Sequence, residues 1–391
     1  MNYPTGLALG VVALTLAGCP QQPAKTPGTT PTASPTASPT ASPSVTARAT
    51  PSSGVKRVAM FIPHKDLFWR DFLGFMEAAS KQLGLKLEVH LANNNRELMK
   101  EQVRRATTGE GRVDAVVFQN FKECGADLLK IANEGGVPAF MVNAGVGESC
   151  GVPRGRYTHW IGNMESDGNG AGYSLACLLI DEAKRRGLAG ADGKVHMIAL
   201  AGIVSDAGSS ERVLGLKRAV AGHDDVVLHQ VVPTDWSREE GRRKAEVLLK
   251  RFPETAVVWG ASDPLALGAM ESVRALGRKP GEDVLLGGFD WTREALEAVR
   301  SGDLYVTIGG HFMEGGWVMV LLHDYFKGND SADKQLNFLT PMGPITKKNL
   351  DRFALAIGAA DWSKFEFRSL TQPTGAYTFD PTETLVKLGR K

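Results

Sequence analysis

From Lys56 onward, short apolar segments alternate with longer segments of helical spacing, and the alternation runs through the chain twice. In the first pass Val58–Ile62, Leu85–Leu91, Val113–Phe118 and Pro138–Val142 read as strands, with Phe68–Leu83, Asn95–Thr107 and Ala126–Asn133 as the helices between them. In the second pass the strands are Val195–Leu200, Val226–Val231, Ala256–Trp259, Val284–Gly288 and Val306–Ile308. The helices of that pass are Gly172–Arg186, Glu211–Val220, Arg238–Lys250, Pro264–Leu276, Glu294–Val299 and Gly315–Phe326. Strands that are apolar on both faces need cover on both faces, which a parallel sheet between helices supplies. The crossovers in such a sheet are right-handed. The predicted class is α/β, with two similar lobes. Lys334–Leu339 reads as one more strand. The tail from Ala360 to Lys391 carries Trp362, Phe365, Phe367, Tyr377 and Phe379 and is expected to wrap the surface of a lobe.

Different chemistry precedes these lobes. Leu7–Gly18 is an apolar or small run of 12 residues, short of the roughly 20 needed to span a bilayer. Its length suits the core of a secretory signal. It ends in Leu16-Ala17-Gly18-Cys19, which resembles the lipobox of bacterial lipoproteins. The resemblance implies a signal peptide over residues 1–18 and a lipid on Cys19, although no Lys or Arg precedes the apolar run. Residues 19–54 then form a stalk in which Pro31, Pro35, Pro39 and Pro43 recur every four residues. Proline fixes φ and removes donors, and nothing apolar is available to bury, so an extended, disordered spacer is expected. Export and anchoring at a membrane, facing a periplasm or the outer cell surface, follow from this reading.

Charge narrows the partners. The chain has 45 Lys+Arg and 43 Asp+Glu, and only Lys25 and Arg48 are charged before residue 55, so the body is formally neutral. A nucleic-acid-binding body would show a basic excess, and none is expected here.

Open α/β sheets bind ligands beyond the carboxyl ends of their strands, and polar and aromatic residues collect there. His64, Asp66, Phe68 and Trp69 follow the first strand, while Asn120 and Asn143 follow two others in the first half. In the second half Ser205 and Asp206, Asp235 and Trp236, Ser262 and Asp263, Asp290 and Trp291, and His311 each follow a strand. Flat aromatics pack on the C–H faces of a sugar ring, and carboxylates, amides and Arg212 hydrogen-bond hydroxyls. A site built for hydroxyls rejects analogues without them, because its polar groups would be left unpaired.

These residues sit in motifs that resemble a family. Asp66-Leu67-Phe68-Trp69, Ser209-Ser210-Glu211-Arg212-Val213-Leu214-Gly215, Ser262-Asp263-Pro264-Leu265-Ala266-Leu267-Gly268-Ala269 and Gly288-Phe289-Asp290 occur in the order found in type I periplasmic solute-binding proteins of the ribose and galactose class. That family shares its fold with LacI-type effector domains, and the resemblance covers roughly Val55 to Pro341. It implies two Rossmann-like lobes, an N-terminal one from residues 55–162 with 312–341 and a C-terminal one from 163–311 with 342–391. The crossovers are implied near Asn163, Gly309 and Pro341, with hinge closure over ligand. Phe68 and Trp69 are implied to meet a sugar from one lobe and Trp236 its opposite face. Arg212 and Asp290 are implied to bond hydroxyls, with Asp66, Asn120, Asn143 and Ser262 completing the polar set. His311 stands where the family often has Gln. Asn143-Ala144 replaces Asp-Arg, and Ser262 replaces Asn, which argues against ribose itself.

Bland alternatives stand beside these roles. Trp236 has a hydrophobic staple as its alternative, Asp290 an N-cap and Arg212 a solvated helix charge, with ligand contact the favoured role for each. Asp263 before Pro264 reads as a cap rather than a contact. Enzyme signatures are missing: Asp167-Gly168-Asn169-Gly170-Ala171-Gly172 continues into Tyr173, which breaks the dinucleotide fingerprint. There is no phosphate loop, nucleophile elbow or zinc-type histidine pair, so neither cofactor nor metal is expected. Cys124 and Cys150 lie in neighbouring loops, where an exported context permits a disulfide between them; the sequence leaves that pairing open. The sequence thus reads as a monomeric, lipid-anchored binding protein for a sugar-like solute, with an ABC permease as partner. A membrane sensor kinase or chemoreceptor is the alternative partner.

Overall fold

The computed structural model describes residues 54–331, 335–353, 361–372 and 376–388. The signal peptide, Cys19 and all of the stalk before Gly54 lie outside the described residues.

The first half runs β1 (Arg57–Ile62), α1 (Leu67–Leu83), β2 (Lys86–Leu91), α2 (Arg96–Thr107), β3 (Ala115–Phe118), α3 (Gly125–Glu134), β4 (Ala139–Asn143) and β5 (Trp160–Ser166). The second runs α4 (Gly168–Arg185), β6 (Val195–Ala201), α5 (Ala207–Ala221), β7 (Val226–Pro233), α6 (Arg238–Arg251), β8 (Val257–Gly260), α7 (Asp263–Ala275), β9 (Leu285–Phe289), α8 (Arg293–Ser301) and β10 (Val306–Gly309). Helix α9 (Glu314–Phe326), β11 (Asn337–Thr340), β12 (Gly343–Thr346) and the terminal helix Pro381–Leu388 follow. They build two six-stranded sheets, ordered β11-β5-β4-β3-β1-β2 and β12-β10-β9-β8-β6-β7. All pairings are parallel except β10 with β12. The class read from the sequence, α/β with two parallel sheets flanked by helices, is the class observed.

The strand order reverses beside β1 in one sheet and beside β6 in the other. Neighbouring loops splay apart at such a switch point and leave a crevice. Capping sets the helices that border it. Asp66 Oδ1 accepts the Trp69 N–H at 2.8 Å to start α1, and Gly84 ends that helix in the left-handed region at φ 71°.

Two strands escaped the sequence pattern. β5 mixes Gly162, Asn163 and Glu165 into its apolar run, and β12 carries Gly343 and Pro344. Pro344 is tolerated because β12 is an edge strand. A Cβ on Gly162 would lie 2.4 Å from the Phe140 ring, so the glycine lets β5 lie close against β4. The boundary expected between residues 162 and 163 falls inside β5, where Asn163 pairs with Met141 and Asn337. The first crossing from sheet to sheet therefore lies after Ser166. The others lie between β10 and α9 and between β11 and β12.

The tail corrects a second expectation, its assignment to the C-terminal lobe. Its aromatic residues pack on the N-terminal one. Phe75 of α1 meets Trp362 and Phe367 at ring-centroid distances of 5.4 and 4.8 Å. The α1 side chain Gln82 accepts the Phe367 N–H at 3.0 Å and donates to Phe365 O at 2.6 Å. Further along, Phe379 stacks on Trp317 at 5.3 Å, and Tyr377 donates to Asp324 Oδ2 at 2.8 Å. The start of the terminal helix reaches back, with Pro381 beside Gly310 and Thr382 beside Gly343.

Glu314, the first residue of α9, is fully buried and joins two strand ends. Its Oε2 accepts the Asn143 N–H at 3.0 Å, and its Oε1 lies 2.6 Å from the Thr340 hydroxyl. That hydroxyl has one proton and also faces Glu165 O at 3.2 Å. A protonated Glu314 satisfies both contacts by donating to Thr340, which then donates to Glu165 O. Burial pushes the Glu314 carboxyl up to about 8, with the hydrogen bond accepted from the Asn143 N–H opposing.

Two outcomes are expected. Phe367 is completely buried, so Phe367→Ala should cost about 3–5 kcal/mol, read as a lower denaturant midpoint. A tail that merely lay on the surface would give no change. The native protein keeps the Glu314 proton to about pH 8, whereas the unfolded chain releases it near the ordinary carboxylate value. Stability from this group is therefore full at low pH and declines as pH rises towards 8, by on the order of a few kcal/mol. Glu314→Gln should flatten that decline in melting curves taken from pH 5 to 8. An unchanged slope would show that Glu314 is not the group.

Candidate ligand-binding cleft

The loops after β1, β3, β4 and β5 face those after β6, β7, β8, β9 and β10 across a cleft of about 850 Å³ including its open mouth. Nine of the ten ligand residues named from the sequence line it: Asp66, Phe68, Trp69, Asn143, Arg212, Trp236, Ser262, Asp290 and His311.

At the cleft's centre is Arg212, which the close packing of α5 against α4 places there. Gly172 of α4 lies so near the Arg212 carbonyl that a Cβ would sit 2.0 Å from its oxygen. The guanidinium is buried rather than solvated. Its Nη1 donates to Ala261 O at 2.6 Å and lies 3.8 Å from Asp290 Oδ1, and its Nη2 faces His311 Nε2 at 3.1 Å. The plane rests over the Phe289 ring at 4.6 Å. Burial lowers its pKa against the pull of Asp290, yet an arginine stays charged. It can only donate, so His311 Nε2 accepts and the His311 proton sits on Nδ1. Burial and the adjacent guanidinium push the His311 pKa well down, so the ring is neutral although Asp290 Oδ1 is 3.5 Å away. Burial also pushes the Asp290 carboxyl well up, with Arg212 opposing.

Aromatic walls enclose this polar floor. Phe68 stacks on His311 at 4.7 Å and meets Trp69 edge-on at 5.2 Å. Trp236 enters from the other lobe and lies over Gly202, where a Cβ would fall 2.0 Å from the indole. Thr234 pins the turn by donating to Ala201 O at 2.8 Å while accepting the Trp236 N–H at 3.2 Å. Ser237 rather than Asp235 caps α6. Thr292 rather than Asp290 caps α8, which leaves Asp290 free of the capping role. Asn143, Trp236 and Asp290 hold φ at 64°, 71° and 110°, values that cost non-glycine residues free energy and concentrate at functional sites. Three buried polar atoms of the lining have no protein partner: Arg212 Nε, Ser262 Oγ and His311 Nδ1. Such atoms call for a ligand or water to satisfy them.

Asn120 is the exception among the named residues. Its Oδ1 accepts the Gly125 N–H at 2.8 Å and its Nδ2 donates to Gly145 O at 2.9 Å, so it braces two loops and borders a neighbouring hollow instead. The residue before it, Gln119, lines the cleft and accepts from Asn143 Nδ2 at 2.9 Å. A shift of one position at a strand end turns a side chain to the other face. Asp206, which caps α5, and Ser166, Ile203 and Thr292 also line the cleft beyond the named set.

Three further assignments change. Cys124 and Cys150 are both free thiols. Cys124 is part of a hydrophobic core cluster, where burial pushes its thiol up to about 11, while Cys150 borders the neighbouring hollow. Asp263 is no cap; its buried carboxylate accepts from Thr292 N–H at 2.8 Å and Thr307 Oγ1 at 2.7 Å and ties α7 to β9–α8 and β10. Trp291 leaves the cleft for the core and donates from Nε1 to Gly343 O at 2.9 Å.

The model of the periplasmic binding protein domain matches residues 58–330. The ribose import binding protein of Haemophilus influenzae is 27% identical over 61% of this chain and 74% of its own length. That of Salmonella typhimurium is 36% identical over a shorter stretch, 31% of this chain and 38% of its own. The crystal structure of a periplasmic sugar-binding protein from Pseudomonas fluorescens superposes with a TM-score of 0.76 at 30% identity, covering 85% of this chain and all of that one. With the family model spanning more than half the chain and the two-lobed architecture shared, this chain belongs to the periplasmic binding protein family, in its type I form, and is a binding protein rather than an enzyme.

Proposed function

We propose that this protein captures a polyhydroxylated, sugar-like solute between its lobes and delivers it to an ABC permease. The observation that carries the reading is the pairing of aromatic walls from both lobes with a buried polar floor of Arg212, Asp290 and His311. A pyranose or furanose offers what such a cleft demands, apolar ring faces for Phe68, Trp69 and Trp236 and hydroxyls for the partnerless Arg212 Nε, Ser262 Oγ and His311 Nδ1. The ligand bridges both lobes only when they close, so it shifts the population towards the closed form. The permease then reads that form. Asn143-Ala144 and Ser262 depart from the ribose-type pattern, which supports a sugar other than ribose. In this reading the chain is exported as a monomer, with Cys19 lipidated and residues 19–54 spacing the lobes from the membrane.

The test is thermal unfolding against a panel of monosaccharides, with ribose, amino acids and furanose signals included. A ligand at about 100 times its dissociation constant adds about 2.7 kcal/mol, a shift of roughly 4 °C for a body of this size. One sugar should give that shift, and Trp236→Ala and Asp290→Ala should abolish it. Asn120→Ala should lower the melting temperature of the unliganded protein while keeping the shift, because Asn120 braces loops. No shift with any sugar would overturn the sugar assignment and turn attention to a signalling ligand and a sensor partner.

A further inference from the structure

Far from the cleft, His196 near the start of β6, His229 on β7 and Glu254 in the turn before β8 bring their ligand atoms together. His196 Nδ1 and His229 Nε2 are 2.9 Å apart, His229 Nε2 and Glu254 Oε1 3.1 Å, and His196 Nδ1 and Glu254 Oε1 3.8 Å. Zinc bonds of about 2.0–2.2 Å in tetrahedral geometry set ligand separations of roughly 3.3–3.5 Å. The three observed spacings bracket that value.

The surroundings hold these atoms ready. The pairing of β6 with β7 shifts at Met197/Ile198, where Leu228 and Gln230 take successive partners and His229 is the extra residue. The bulge carries His229 to His196 on one face. The Ala256 N–H donates to His196 O at 2.9 Å and ties the Glu254 turn to β6. The His229 ring lies flat on Phe252 at 4.2 Å. His196 turns its other nitrogen, Nε2, to Asp192 Oδ1 at 3.0 Å, and Asp192 is itself held by the Lys194 N–H at 3.1 Å. With the proton on Nε2 bonded to that carboxylate, the Nδ1 lone pair points at His229 and Glu254. A carboxylate behind the far nitrogen of a ligating histidine is the usual support of a metal site. Two imidazoles and one carboxylate suit zinc, copper or nickel rather than calcium or magnesium.

We propose that His196, His229 and Glu254 bind one divalent transition-metal ion on the outer face of the C-terminal lobe, with Asp192 orienting His196. The three ligands are 33 and 25 residues apart in sequence, which is why reading motifs found no metal site.

The test is calorimetric titration of the full chain with zinc chloride at pH 7.5 in a non-chelating buffer. One equivalent should bind. His229→Gln and Glu254→Gln should each weaken binding by about tenfold or more, and Asp192→Asn by roughly 10–100-fold. Thermal melts check that each variant folds; should His229→Gln fail to fold, the exposed Glu254→Gln decides. No binding, binding unchanged in the folded variants, or displacement of zinc by millimolar calcium would overturn the proposal.

Discussion

A guanidinium cannot give up its proton, so once Arg212 leaves water its charge has to be answered by neighbours. Those neighbours come from segments far apart in sequence: the Ala261 carbonyl after β8, Asp290 after β9, His311 after β10 and the Phe289 ring beneath. The arrangement orders the rest of the cleft. It fixes the His311 tautomer, keeps that ring neutral against Phe68, and raises the value of any hydroxyl that can meet Arg212 Nε or His311 Nδ1. No protein atom partners either of them.

Around the three chain crossings, polar groups take over from apolar packing. Glu314 ties the ends of β4 and β11, and Thr340 ties β11 to β5. The tail adds a second layer. Its aromatic residues clamp α1 and α9 of one lobe, and the terminal helix starts beside Gly310 and Gly343, where the chain crosses. The described aromatic residues of the tail thus pack as part of the N-terminal lobe.

Much of the cleft was legible because a parallel α/β sheet brings the residues that line such a cleft to the carboxyl ends of its strands. Finding the strands located Asp66, Phe68, Asn143, Trp236, Ser262 and Asp290. Where the reading slipped, the cause was local geometry. Asn120 and Gln119 differ by one position and face opposite ways. Cys124 and Cys150 share neighbouring loops, but one belongs to a hydrophobic core cluster and the other borders a hollow. Asp263 stands where a cap is expected, yet its carboxylate turns inward to Thr292 and Thr307.

The alternation of apolar strands and helices by itself determined the α/β class, the two sheets and the ends of the strands where polar residues gather, because periodicity and burial are local properties of the chain. The tertiary structure alone decided which lobe the tail covers, that Glu314 sits sealed between two strand ends, and that His196, His229 and Glu254 meet. Those outcomes depend on contacts between residues tens to hundreds of positions apart, and no local pattern encodes such contacts.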